Sequence, residues 1–227
     1  MDLPSNRLLP SLLALAGFVL AACIPAKAQQ FSADLVTVHD NAAPTPVGRL
    51  RVLDDKVRIE IPELADGFFL IDSVKPAAHF VRPAARVFMD AGQSSRLTRL
   101  FVTVDPQDPC ARWQTMAHLA GLPDRGNWHC EQVGEVAISG RNTSAYRVVS
   151  ASGRTFFAWI DRARRFPLRI KTEEGAVITA EDIRDEPQPA PLFEMPPGLR
   201  KFDPQALIER IKQSDVWVAE EADAQPQ

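Results

Sequence analysis

The chain has 227 residues, 45% of them hydrophobic, which is enough for one core of ordinary size. Its formal net charge is −3, and setting aside residues 1–28 leaves 24 basic against 28 acidic side chains. That balance gives no reason to expect nucleic acid as a partner.

Residues 8–24 are an apolar run with only Arg7 and the amino terminus ahead of it as positive charge, the arrangement of a secretory leader. The competing reading is a membrane-spanning helix, but Pro10 and Gly17 interrupt the run and small residues close it. Two cleavage sites overlap. Ala26-Lys27-Ala28 ahead of Gln29 has the small-x-small pattern of ordinary signal cleavage and defines a leader over residues 1–28, which would leave a periplasmic protein. Leu20-Ala21-Ala22-Cys23 resembles the bacterial lipobox, in which Cys23 is acylated and becomes a lipid anchor at the membrane surface. Ile24-Pro25 is not the flexible polar linker that follows such an anchor, which favours the first site. Either cleavage leaves Cys110 and Cys130, and an even count in an exported chain predicts a disulfide between them. The alternatives are two free thiols or a metal site. His118 and His129 are the only histidines nearby, and the spacing matches no standard zinc arrangement.

Phe31 to Asp40 reads as the first strand, and the loop Asn41 to Val47, with Pro44 and Pro46, ends it. Gly48 to Leu53 and Lys56 to Ile61 form a hairpin about a tight Asp54-Asp55 turn. In its second strand Val57, Ile59 and Ile61 face one side, and Lys56, Arg58 and Glu60 the other. Short strands follow at Gly67 to Asp72, Ala78 to Arg82 and Arg86 to Asp90, with the regular spacing of a meander. Leu97 to Val104 fits a strand or a short helix, and periodicity does not separate the two.

Asp108-Pro109 then starts a helix, because the Asp side chain can accept from exposed amides and Pro at the first helical position sacrifices no bond. The helix runs to Ala120 with Trp113, Met116, Ala117 and Ala120 on one stripe, and Gly121-Leu122-Pro123 stops it. Strands resume at Trp128 to Ile138 and Thr143 to Ser150. Thr155 to Glu186 follows as a three-strand meander turning at Asp161 to Arg165 and at Glu174-Gly175. In it Leu168 and Ile170 point one way, and Arg169, Lys171 and Glu173 the other. Pro187-Gln188-Pro189-Ala190-Pro191 ends the sheet. A second Asp-Pro start at Asp203-Pro204 opens a short helix with Leu207, Ile208 and Ile211 on one face.

The fold class that follows is α+β. It comprises one strongly curved antiparallel sheet of about 10–11 strands, a helix inserted mid-chain and a short C-terminal helix. Residues 29–216 form one domain, and the polar tail over 217–227 is expected to be disordered.

A long antiparallel sheet interrupted by one helix and closed by another resembles the half-barrel of the LolA and LolB lipoprotein carriers and the RseB stress sensors. The segments that carry the resemblance are GRLRVLDDKVRIEI from Gly48, GFFLID from Gly67, HFVRPAARVFMD from His79, FAWIDRARRFPLRIKTEEG and LFEMPPGLRKF. It implies a concave apolar face partly covered by helices and suited to acyl chains or a hydrophobic peptide. Leu35, Val52, Ile59, Phe80, Phe88, Trp159 and Ile170 are the lining this implies; taken one at a time, each also reads as ordinary core. The lipoprotein carriers have an arginine just before the turn of the early hairpin that helps hold the lid. The matching position here is Asp54, which puts lipoprotein trafficking in the strict sense in doubt.

Catalytic signals are missing from the sequence. There is no Gly-x-Ser-x-Gly elbow, no phosphate-cradling glycine loop and no His-Glu-x-x-His helix. His39, His79, His118 and His129 fall on different elements, so no catalytic residue, metal site or cofactor is expected. Glu173-Glu174 and Glu181-Asp182 read as solvated faces and turn formers. Arg162, Arg164 and Arg165 form a basic turn that could touch anionic headgroups. Two functions compete, with an enzyme as a third reading that a cleft with several converging polar groups would revive. One is a cell-envelope binding or carrier protein whose concavity holds a lipid, an acyl chain or a lipidated protein. The other is a non-catalytic sensor or interaction module in which the concave face or an exposed strand edge binds another envelope protein.

Overall fold

The computed structural model describes residues 29–213 apart from 40–41, 65, 93–94 and 123–125. The leader over 1–28 with Cys23, the end of the first strand at Asp40, and the polar tail over 217–227 lie outside the described residues. Alternating side chains build the first half of the sheet: β1 (Gln30–Val38), β2 (Thr45–Leu53), β3 (Lys56–Glu60), β4 (Phe68–Asp72), β5 (Ala77–Arg82) and β6 (Val87–Asp90). The second half is β7 (His129–Ile138), β8 (Arg141–Val149), β9 (Thr155–Asp161), β10 (Phe166–Lys171) and β11 (Val177–Arg184), with a two-residue β12 (Arg200–Lys201) added late. Between β6 and β7 lie the helices α1 (Leu97–Leu100) and α2 (Pro109–Leu119); α3 (Pro204–Gln213) follows β12.

All twelve strands belong to one open sheet in the order β12-β6-β5-β4-β3-β2-β1-β11-β10-β9-β8-β7. The curved α+β half-barrel expected from the sequence is the fold observed. Two details differ from expectation. β2 begins at Thr45, with Pro46 inside the strand where the β1–β2 register shifts between Leu35 and Val36, since a bulge tolerates a residue that cannot donate to the ladder. The twelfth strand, β12, pairs parallel to β6 and carries no pattern a two-residue element could show.

The strand order explains the core. β6 lies near one edge and β7 forms the other, so the chain between them must cross the full width of the sheet. It does so over the face presented by Phe31, Leu35, Val52, Ile59, Leu168 and Ile170, and it buries Phe101, Val102, Val104, Trp113 and Met116 against them. The undecided stretch from Leu97 resolves as α1 followed by an extended, buried run at 101–104. As the sequence predicts, Asp108 caps α2 by accepting from the Ala111 amide at 3.2 Å, and Trp113, Met116, Ala117 and Ala120 are buried. A second crossing, from β11 to β12, runs over the opposite face. There Met195 and Leu199 pack on Phe68, Leu70, Val81 and Phe88, and the Arg58 guanidinium stacks 3.4 Å from the Phe68 ring while donating to the Leu192 carbonyl. The apolar face of α3 is not buried: Leu207 is 38% and Ile208 50% exposed.

The inserted cover is fastened at separate points. The Thr103 hydroxyl donates to the Asp54 carbonyl at 3.2 Å, and the Val104 amide to the Arg165 carbonyl at 2.8 Å. Asp54 stands in the β2–β3 turn with φ 52°, so the early hairpin does hold the cover, through its backbone rather than through an arginine side chain. Cys110 and Cys130 form the expected disulfide, with Cα atoms 5.7 Å apart, tying the first turn of α2 to β7. Ahead of α1, Arg96 meets Glu174 at 2.5 Å.

Two predictions follow from these fasteners. Reducing the disulfide, or replacing both cysteines by alanine, opens a loop whose ends are 20 residues apart, and should lower unfolding free energy in urea by about 3 kcal/mol. The hydrogen bond from Arg96, then that from its own backbone amide, holds Glu174 down to about 2. A folded value below the unfolded one means that the pair's contribution is complete above roughly pH 4.3 and is lost as pH falls through that lowered value. Carbon NMR of the Glu174 carboxyl should inflect near 2, and Arg96→Gln should raise it toward, but not fully to, the free value of about 4.3, because the backbone amide and Thr172 still lower it.

Candidate functional site

The seven residues implied as a ligand lining do not share one surface. Leu35, Val52, Ile59 and Ile170 are on the covered face, each 0% exposed and packed on the chain's own core. Phe80 shares that face, as its pairing with Phe69 requires, and is partly buried against the same core with the two rings 5.1 Å apart. Phe88 does not. It pairs with Val81, while Phe80 pairs with Met89, so the alternation puts Phe88 on the opposite face beneath Met195 and Leu199. Trp159 pairs with Arg169 and alternates with the buried Ala158 and Ile160, which also turns it to the opposite face, where its ring lies near Phe157.

The basic turn divides in a similar way. Arg164 is not an exposed charge: its side chain is 12% exposed and bonds to the buried carboxylate of Asp161 at 2.7 Å and to Asp185. Burial works against its charge, but the hydrogen bonds it donates to Asp185 and Asp161 raise it above the usual arginine value. The bond from Arg164 first, and then the charges of Arg164 and Arg141, hold Asp185 below the usual carboxylate range. Arg164 is thus a structural pin at the β9–β10 turn, while Arg162 and Arg165 remain exposed. Among the described residues no group of three or more His, Cys, Asp or Glu side chains could hold a metal ion.

An opening lined by apolar side chains lies at the end of the sheet where β9 begins and β10 ends. It measures about 100 Å³ and lies among α1, α2, Trp128 and the β10–β11 turn. Leu100, Trp113, Ala117, Leu122 and Phe156 supply its apolar walls. The Trp113 and Phe156 rings meet edge to face at 5.2 Å, and the Trp113 indole donates to the Leu100 carbonyl, which fixes that wall. Arg96, Arg99 and Arg154 border the opening together with Glu173 and Glu174. None of the seven implied lining residues touches it. Its parts come from four separate stretches, and no motif in the sequence joins them. No helix among the described residues is long and apolar enough to cross a membrane.

No protein family and no curated protein matches the sequence. Among solved structures the chain is similar to PNGF-II, at 9% identity and a TM-score of 0.48, over 82% of this chain and 34% of that one. It is similar to the LolA superfamily protein NE2245 from Nitrosomonas europaea at 14% identity and a TM-score of 0.34, over 75% and 91% of the two chains. It is also similar to MucB in the Pseudomonas aeruginosa MucA/MucB complex, at 16% identity and a TM-score of 0.41, over 75% and 57%. The chain therefore spans about a third of PNGF-II and little more than half of that MucB. At these identities and scores the likenesses carry no function over to this chain.

Proposed function

We propose that this chain is a non-catalytic binding protein of the bacterial cell envelope, acting as a sensor or interaction module rather than as an acyl-chain carrier. The observation that carries the reading is the closed cover: four of the residues that a carrier would present to a lipid are fully buried in one core with Phe101, Val102, Val104, Trp113 and Met116 of the crossing. The apolar opening beside α1 and α2, about 100 Å³, is well below the roughly 300–1,000 Å³ of pockets that enclose a whole small molecule, and the wider depressions around Arg141 are lined mostly by polar and charged residues. A carrier would need the cover to lift off the sheet against the disulfide and the Thr103 and Val104 hydrogen bonds.

The leader over 1–28 and the disulfide both support placement outside the cytoplasm, in the periplasm if the leader is cut after Ala28 and on the membrane if Cys23 is acylated. For protein contact the sheet offers β7, ten residues long and the outermost strand, with Val133 50% and Val136 46% exposed. Such an edge presents unpaired amides and carbonyls for strand addition. The test is native purification from the envelope, followed by solvent extraction and mass spectrometry. The chain should come out without stoichiometric lipid, and a photo-crosslinker at Val136 should capture one envelope protein, a capture lost when Val133 is changed to Lys. Lipid bound one to one would overturn the reading in favour of a carrier.

A further inference from the structure

We propose that the pocket between α1, α2 and the start of β9 binds a carboxylate carrying one compact apolar group, no larger than a phenyl ring or a branched aliphatic side chain. Its size sets the limit. An apolar cavity of about 150 Å³ takes up benzene, so the free space here, about 100 Å³, admits a group of that order and no long acyl chain. Leu100, Trp113, Ala117 and Phe156 make its walls mainly apolar, with the hydroxyl side chains of Ser150, Thr155 and Thr172 as the uncharged polar groups of the lining.

The mouth supplies the charge preference. Three arginines border it against two glutamates, and Glu174 is already committed to Arg96. Glu173 is exposed, and among the described residues no carboxylate pairs with Arg99 or Arg154. Burial, and then the charges of Arg154 and Arg96, hold Arg99 below the usual arginine value, and one of its nitrogens already donates to the Gly92 carbonyl. Trp128, which forms part of the wall, has a buried indole N–H that finds no acceptor among the described residues. A carboxylate at the mouth would meet Arg99 and Arg154 with charge-assisted hydrogen bonds while its apolar group covers Trp113 and Phe156. An inorganic anion would satisfy the arginines and leave those walls wet.

Two sources share this chemistry: the C-terminal residue of a protein and a short free fatty acid. The inference rests on the closed-cover reading above, but lipid extraction decides that reading and carboxylate titration decides this one, so either can fail alone. The experiment titrates the purified chain with N-acetylphenylalanine, its amide and hexanoate, followed by calorimetry and tryptophan fluorescence. At least one carboxylate should saturate with a Kd below about 1 mM, and the amide should bind about tenfold more weakly than its acid. Arg154→Gln, at an exposed position, should weaken carboxylate binding by about tenfold with the circular dichroism unchanged. Ala117→Leu should fill the pocket and abolish binding; should that variant fail to fold, the Arg154 arm still decides. Tighter binding of N-acetylphenylalanine than of hexanoate assigns the site to protein C-termini, and the reverse to fatty acids, both supporting the shared chemistry. No carboxylate binding, equal binding of acid and amide, or indifference to Arg154→Gln would overturn it.

Discussion

A sheet one layer thick cannot leave an apolar face in water, and everything else in this molecule answers to that constraint. Among the described residues the face built by Phe31, Leu35, Val52, Ile59, Leu168 and Ile170 has no second sheet to pack on. It is covered by the chain's own crossing from one edge to the other. Burying one such side chain stabilises the fold by about 2 kcal/mol, so a crossing that brings Phe101, Val102, Val104, Trp113 and Met116 onto it is strongly held. The same logic operates more weakly on the opposite face. There the second crossing covers only Phe68, Leu70, Val81 and Phe88, and the rest of that face carries Arg49, Arg169 and Arg184 in exposed or half-buried pairs and stacks.

This division of labour also explains the charge pattern along the chain. Polar alternation in β1 and β11 sets Asp34 between Arg49 and Arg184, pairs that lie in water and contribute little beyond register. Arg164 differs because the β9–β10 turn folds it in beside Asp161, whose carboxylate also accepts from the Ala163 and Arg164 amides. A carboxylate so deep needs its cation, and the ring of Phe31 lies 5.6 Å from the same guanidinium. Three arginines within four residues of sequence thus hold two different positions, one structural and two exposed.

What the sequence discloses and what it conceals divide along the same line. Period-two alternation identifies the strands and, within each strand, the residues that share a face; Val57 with Ile59 and Leu168 with Ile170 were legible for that reason. The Asp-Pro helix start and the cysteine pair were legible because each rests on chemistry local to a few residues. Alternation does not say which faces of two strands coincide, since that depends on cross-strand register. Phe80 and Phe88 look equivalent in sequence, yet they part company once Phe80 pairs with Met89. The site was the least legible part: Arg96, Arg154 and Glu174 become neighbours only because the crossing lays α1 against the ends of β9 and β10.

The disulfide acquires a meaning from this geometry that its spacing alone does not give. Trp113 belongs to α2 and Trp128 stands just ahead of β7; both rings are walls of the pocket and meet Phe156 edge to face, while Gln114 of α2 donates to the Gly126 carbonyl. Cys110 and Cys130 join those two elements three residues before Trp113 and two after Trp128, closing a loop that contains both walls. Without that link α2 would be held to the sheet chiefly by its apolar stripe, and the outermost strand by β8 alone. The bridge therefore fixes the separation of the walls at the point where the sheet, being open, could least enforce it.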